Sequence, residues 1–154
     1  MAVSPVPWSV PELLPHGGPM VLLDDLIGAG EGWVTAGVRI SEDSMFFELG
    51  AGMPCWIGIE YMAQTIALYS GVQARRAGQP VRIGLMLGSR RYEALTDYFP
   101  LGSYLRIHAE EEWHDGQMGI FECTIHEDDR CLARARLNVF LPPDAKALLE
   151  GGLS

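Results

Sequence analysis

One carboxylate lies in the first turns of an otherwise apolar stretch that is expected to form a helix. The stretch runs from Met53 to Gln64, and Glu60 is its only charged residue. Burying an ionised carboxylate is costly unless it is paired, and a low-dielectric site raises its pKa toward neutrality, where it can act as a general acid or base. Glu60 is therefore the leading catalytic candidate. The structural alternative is a carboxylate that only complements the helix dipole on an exposed face.

The segment from Cys55 to Ala77 carries the one long helical pattern. Apolar residues recur at positions i, i+3, i+4, i+7 and i+8, and Arg75 and Arg76 complement the dipole at its C-terminal end. The stripe consists of Ile59, Met62, Ala63, Ile66 and Ala67. Gln64 follows Glu60 by one turn, so we expect a side-chain hydrogen bond that orients the carboxyl group.

The rest of the chain alternates turn signals with strand patterns. The predicted strands are Met20 to Ile27, Trp33 to Ile40, Val81 to Tyr92, Tyr104 to Trp113, Met118 to His126 and Cys131 to Phe140. The run Gly28 to Gly32 predicts a hairpin turn, Ser9 and Pro11 predict a short helix, and Ala145 to Leu149 predicts another. Two strands, one helix and four strands favour an α+β fold in which an antiparallel sheet wraps one central helix.

Composition limits the protein class. The 154 residues, 48% hydrophobic and 20% charged, fit one domain over 1–154 with its core at about 16–140. A net charge of -9 argues against nucleic-acid binding. The three cysteines lack Cys-x-x-Cys spacing, so neither disulfides, a metal site nor another cofactor is expected. No apolar run could span a membrane and the N-terminus lacks signal-peptide features, so we expect a cytoplasmic protein.

Arginine is concentrated in the middle of this acidic chain. Five of ten arginines fall within a short stretch: Arg75, Arg76, Arg82, Arg90 and Arg91. A local basic patch on an acidic protein can capture an acidic partner or a phosphate group. The alternative is a set of solvated surface charges.

Two motifs resemble a known family. Leu14 to Asp24 reads Leu-Pro-His-Gly-Gly-Pro-Met-Val-Leu-Leu-Asp, and Met53 to Gln64 contains Met-Pro followed by Glu-Tyr-Met-Ala-Gln. Both are similar to motifs of the β-hydroxyacyl-acyl-carrier-protein dehydratases of the FabZ/FabA type, and the likeness is closer to the branch found with aryl-polyene biosynthesis clusters. The resemblance implies a hot-dog fold, a dimer with a shared active site, and dehydration of 3-hydroxyacyl thioesters to trans-2-enoyl thioesters in fatty-acid or polyene-type biosynthesis.

The chain departs from this family at the usual catalytic histidine. The corresponding stretch, Ser44 to Gly50, contains no histidine, and an ungapped count back from Glu60 puts Phe46 at that position. His16 is the best substitute, because it lies in a loop between Pro15 and Gly17 and its pKa suits proton transfer near neutrality. The weaker candidates in strands or turns are His108, His114 and His126.

The mechanism that follows assigns His16 as base and Glu60 as acid. At the helix N-terminus, the backbone N–H of Cys55 is expected to polarise the thioester carbonyl. The expected substrate-binding residues are Pro54, Cys55, Trp56 and Gln64. The arginine cluster is expected to dock an acyl carrier protein with its phosphopantetheine-linked substrate.

Two alternatives stay open. Hot-dog proteins also include thioesterases, and fold alone does not decide between the two activities. A chain without the usual histidine could also be the catalytically incomplete subunit of a heterodimeric dehydratase. We therefore expect either a homodimer or a heterodimer with a related hot-dog chain, since a single sheet leaves an unpaired edge.

Overall fold

A computed structural model of the protein describes residues 6–14, 21–79 and 85–140. The helices are α1 (Val10–Leu13) and α2 (Ile57–Arg76). The strands are β1 (Asp25–Gly30), β2 (Trp33–Arg39), β3 (Met53–Pro54), β4 (Leu85–Ala94), β5 (Tyr98–Phe99), β6 (Tyr104–His114), β7 (Met118–Glu127) and β8 (Arg130–Phe140).

Six of the strands form one antiparallel sheet in the order β1-β2-β6-β7-β8-β4, and β3 pairs with β5 in a separate two-stranded ladder. The inner face of the large sheet packs on α2, so the predicted α+β architecture is confirmed. On β8, buried Leu137 faces the helix while neighbouring Arg136 is exposed, as strand alternation requires.

The turns follow from local hydrogen bonding. Between β6 and β7, the Asp115 carboxylate accepts hydrogen bonds from the backbone N–H groups of Gln117, at 3.0 Å, and Met118, at 2.8 Å. Gly116, between these residues, has φ +94°, which favours glycine. Ser9 and Glu12 bond reciprocally at the start of α1, as expected for its N-cap.

The first strand differs from its prediction. Strand β1 begins at Asp25 and continues to Gly30, so the hairpin turn contains only Glu31 and Gly32. Gly30 belongs to the strand because the indole of Trp33 covers it; an added Cβ there would lie 2.2 Å from Trp33 Nε1. The predicted 28–32 turn was therefore too long.

The helix was predicted closely, but its buried face was not. Tyr61, Thr65 and Leu68 are fully buried, while Ile59, Ala63 and Ala67 of the predicted stripe are only half-buried. Ala63 and Ala67 border an open groove, whereas Met62 and Ile66 of the same stripe are buried as predicted. The two-residue strands β3 and β5 were missed because they are too short to show periodicity. The predicted 145–149 helix and residues 81–84 of the predicted fourth strand lie outside the described residues.

Candidate functional site

Glu60 lies in the first turn of α2 and is half-buried. Gln64 Nε2 donates a hydrogen bond to Glu60 Oε1 at 3.2 Å, and Gln64 Oε1 accepts one from the backbone N–H of Leu22 at 2.9 Å. Gln64 is only 1% exposed. The predicted Gln64–Glu60 hydrogen bond is therefore present, and a fixed amide holds the carboxyl group in place.

The start of α2 is held from both sides at Cys55. Its N–H donates to the Asp97 carbonyl at 3.0 Å, and its carbonyl accepts hydrogen bonds from Gly58 N and from the Tyr92 hydroxyl. The expectation that the Cys55 N–H polarises a substrate carbonyl is wrong for this structure, because the loop before β5 already occupies that donor. The same bonds make the turn before the helix a fixed element.

A small apolar pocket of about 240 Å³ lies on one side of Glu60. Its wall is formed by Leu22, Met45, Phe46, Trp56 and Ile57. The rings of Phe46 and Trp56 meet edge to face with centroids 5.4 Å apart. Phe46 has φ +73°, a region rarely adopted by residues other than glycine, so its surroundings impose a strained backbone on the position expected for the family's histidine.

A larger groove of about 870 Å³ runs along α2 on the other side of Glu60. Small and apolar residues form much of its floor: Ala63, Ala67, Ala74, Phe121 and Val139. Since Glu60 lines both spaces, its carboxyl group is where a ligand in the groove and one in the pocket would meet. This position fits a group that acts on the middle of an extended substrate.

A second set of polar side chains lines the groove farther along the helix. His114 Nε2 and Glu111 Oε1 on β6 lie 3.7 Å apart, and Tyr69 of α2 lines the groove beside them. Burial raises the pKa of the Glu111 carboxyl group despite these contacts. Sequence reasoning gave His114 little weight and missed Glu111, because no motif marks either; only the packing of β6 against α2 brings them into the groove.

The remaining described histidines belong to the outer face of the sheet. His108 Nδ1 lies 2.8 Å from Thr35 Oγ1, and the imidazole stacks on Trp33. Burial lowers the pKa of His108. His126 lies close enough to contribute to that shift. These two residues therefore lie on the other side of the sheet from Glu60, whereas His16 is outside the described residues.

The remaining predicted contact residues differ in accessibility. Pro54 is buried in β3, while Trp56 is 59% exposed at the rim of the small pocket. The structure therefore places Trp56, but not the Pro54 side chain, on an accessible surface beside Glu60.

The predicted arginine cluster is divided in the structure. Arg75 and Arg76 are exposed at the C-terminal end of α2, and Arg75 Nη2 donates to the Glu12 carbonyl at 3.2 Å. Arg91 pairs in register with Arg136 on the outer face of the sheet and lies 3.5 Å from Glu93. The expected convergence on one face therefore does not hold for these three. The Arg90 side chain and Arg82 lie outside what the structure describes.

The described residues show neither a metal-binding cluster nor a membrane-spanning helix. Within residues 6–14, 21–79 and 85–140, no three His, Cys, Asp or Glu side chains are grouped to hold a metal ion. Over the same ranges, no helix combines the length and apolar character needed to cross a bilayer.

Comparison with known proteins adds to this geometry. The ApeP-like family, described as ApeP dehydratase, matches residues 8–150 of the chain. The structure of the dehydratase heterocomplex ApeI:P from Xenorhabdus doucetiae is similar with a TM-score of 0.86 and 30% identity, covering 94% of this chain and 98% of that one. Among curated proteins, none matches.

More distant structures share the fold. A hypothetical thioesterase protein with coenzyme A from Streptococcus pneumoniae has a TM-score of 0.62 and 14% identity, covering 77% of this chain and 84% of that one. The Escherichia coli PaaI protein from the phenylacetic acid degradation operon has a TM-score of 0.60 and 14% identity, with coverages of 75% and 81%. At such identities the likeness shows the fold alone, and the predicted hot-dog fold is confirmed.

Proposed function

The chain belongs to the ApeP-like dehydratase family, and from that premise we propose that it dehydrates 3-hydroxyacyl thioesters as one subunit of a two-chain enzyme. The observation that carries the proposal is the Glu60 carboxyl group, which Gln64 holds at the junction of two cavities. An elimination needs a proton donor at the hydroxyl on C3, which lies between the thioester and the acyl tail. The position of Glu60 between the two cavities supports its assignment as that donor.

The chemistry assigns one role to Glu60 and one to a base. The base removes a proton from C2, electrons form the C2–C3 double bond, and protonated Glu60 gives its proton to the departing 3-hydroxyl, so that water and a trans-2-enoyl thioester leave. Proton transfer from the base back to Glu60 restores the enzyme. Fixing the carboxyl through Gln64 aligns it before reaction, which lowers the entropic part of the barrier.

We assign His16 as the base from this chain. Phe46, the residue that replaces the usual histidine, has no proton to exchange, and the three histidines that the structure describes lie on the outer sheet face or at the far end of the groove. His16→Ala tests the assignment. Loss of about 10²-fold in dehydration is expected, whereas full activity would mean that the partner chain supplies the base.

The partner we propose is a related hot-dog chain. Next to Glu60, the side chains of Met45, Phe46 and Trp56 form an apolar patch, with Trp56 59% and Phe46 49% exposed. Apolar patches and free strand edges of this kind are normally covered by another chain, and β4 is a ten-residue edge strand. The ApeI:P heterocomplex shows two named chains assembling in a similar protein.

A reconstitution assay tests the function. The chain alone, the partner alone and their mixture are incubated with a 3-hydroxyacyl thioester on acyl carrier protein, the substrate class we propose. Formation of the enoyl product by the mixture at a rate far above the sum of the separate chains is expected. Activity of the chain alone equal to that of the mixture would contradict the two-chain proposal, and release of free thiol without enoyl product would identify a thioesterase.

A further inference from the structure

The far end of the large groove has a chemical character that dehydration at Glu60 does not use. We propose that Glu111, with Tyr69 and His114, forms a subsite for a hydrogen-bond donor at the distal end of the acyl group. This inference rests on the proposed function, because it takes the reacting carbons to be at Glu60. It adds a specificity-determining residue more than two helical turns away.

The groove is continuous from one site to the other. Glu60 and the residues around Glu111 line the same space of about 870 Å³, which is within the range of small-molecule sites. Between them the floor is formed by small or apolar side chains, including Ala63, Ala67 and Phe121. A hydrocarbon segment can lie on this floor, but a polar group is needed where it ends.

Glu111 has the properties of a ligand acceptor. Its side chain is 17% exposed, and burial raises its pKa. A carboxylate has about four acceptor positions, so the contact with His114 leaves capacity for a ligand hydroxyl or N–H. A partly buried acceptor that gains a donor recovers part of its desolvation cost, which favours ligands carrying that donor.

The charge of the groove decides which end of the substrate it takes. Among the described residues that line it, Glu31, Glu60 and Glu111 carry carboxyl groups, and none is lysine or arginine. The phosphate of a carrier arm would be repelled there. The groove therefore takes the uncharged acyl end, and the carrier-linked end approaches Glu60 from elsewhere.

The distance between the two sites sets the length of the ligand. Tyr69, which lines the groove together with Glu111, follows Glu60 by nine helical residues, or about 14 Å of rise. An extended residue spans three backbone bonds, so an extended acyl chain advances roughly 1.2 Å per bond. A rise of about 14 Å therefore corresponds to about eleven bonds between the reacting carbons and the donor. A donor much closer to them cannot reach Glu111.

Matched substrates test the subsite. The reconstituted enzyme is given two pairs of 3-hydroxyacyl thioesters, and each pair has one member that ends in a hydroxyl group and one that ends in a methyl group. The terminal group lies about six bonds from the reacting carbons in one pair and about eleven bonds in the other. We expect kcat/KM to favour the hydroxyl roughly tenfold at the longer length only, because a paired acceptor discriminates strongly against a ligand that leaves it unpaired. Glu111→Gln replaces the charged acceptor with a weaker neutral one, so it should reduce that preference to a few-fold or less, with the loss confined to the longer hydroxyl-ended substrate.

Glu110→Gln is the matched control, because it removes the same charge from the neighbouring, exposed position of β6. It should keep the wild-type preference. Absence of any preference in the wild type, or an equal loss by Glu111→Gln on all four substrates, would overturn the subsite. If no substrate is dehydrated, the proposed function fails instead, and calorimetric binding of the saturated acyl thioethers of the same pairs still decides whether Glu111 selects the hydroxyl.

Discussion

At the scale of single residues, the site depends on the side-chain amide of Gln64. This amide accepts a hydrogen bond from the backbone N–H of Leu22 and donates one to Glu60. It therefore connects the loop before β1 to the first turns of α2 at the Glu60 carboxyl group. The sequence predicted the Gln64–Glu60 bond because the two residues are four apart on a helix. It could not predict Leu22, which is 42 residues away along the chain.

The pKa of Glu111 leads to a prediction about stability. A carboxyl pKa raised in the folded state above its usual 4.5 means that the folded protein holds the proton more tightly than the unfolded chain. Its contribution to stability is therefore complete below pH 4.5 and is lost as pH rises through the raised value. Glu111→Gln cannot titrate, so its free energy of unfolding relative to wild type should increase over this window.

Denaturant unfolding of both proteins in steps from pH 3.5 to 8 checks this prediction. A difference that stays constant would show that folding does not shift the pKa of Glu111, and a difference that decreases with pH would show that folding stabilises its carboxylate. Such a result would also weaken its assignment as a ligand acceptor.

At the scale of elements, helix α2 owes its position to close backbone contacts. A Cβ added at Gly71 would lie 2.6 Å from the Leu13 carbonyl oxygen, where α1 packs on α2. Helix boundaries and long strands were predictable because their periodicity is strong. The side of the helix that is buried was not predictable, because small residues such as Ala63 and Ala67 can line a groove as well as pack in a core.

Gly71→Ala measures this contact. Alanine favours a helix over glycine by roughly 1 kcal/mol, but overpacking against a backbone atom costs about 1–3 kcal/mol, so the variant should be less stable. The control is Gly88→Ala on β4, where an added Cβ meets no described atom within 4 Å. Thermal unfolding showing Gly71→Ala at least as stable as the control would mean that α1 does not pack tightly on α2.

At the scale of the whole molecule, the acyl carrier protein that we propose as partner requires local positive charge on this acidic protein. With a net charge of -9, the chain would repel acyl carrier protein unless its arginines form a local positive surface that outweighs the net negative charge. The composition predicted this need. It could not predict that Arg91 lies on the outer sheet face, away from the helix end that carries Arg75 and Arg76.

Charge reversal measures how much each of the two arginine pairs contributes to docking of the carrier protein. Double variants Arg75→Glu with Arg76→Glu, and Arg90→Glu with Arg91→Glu, should each raise KM for carrier-bound substrate and weaken its salt dependence if both groups contribute to docking. Activity on a short thioester without the carrier should change little. Arg130→Glu, at the exposed first residue of β8 and outside both groups, is the control. Equal losses on both substrates would exclude docking as the cause.

The rate of enoyl formation by the reconstituted enzyme with Glu60→Gln tests most directly whether Glu60 is the general acid. The glutamine amide keeps the size of the side chain but cannot donate the proton, so we expect a loss of about 10²-fold or more, with an unchanged melting temperature. Glu42→Gln, in an exposed loop, should retain the wild-type rate. A Glu60→Gln enzyme that dehydrates within a few-fold of wild type would contradict the central claim that Glu60 is the acid.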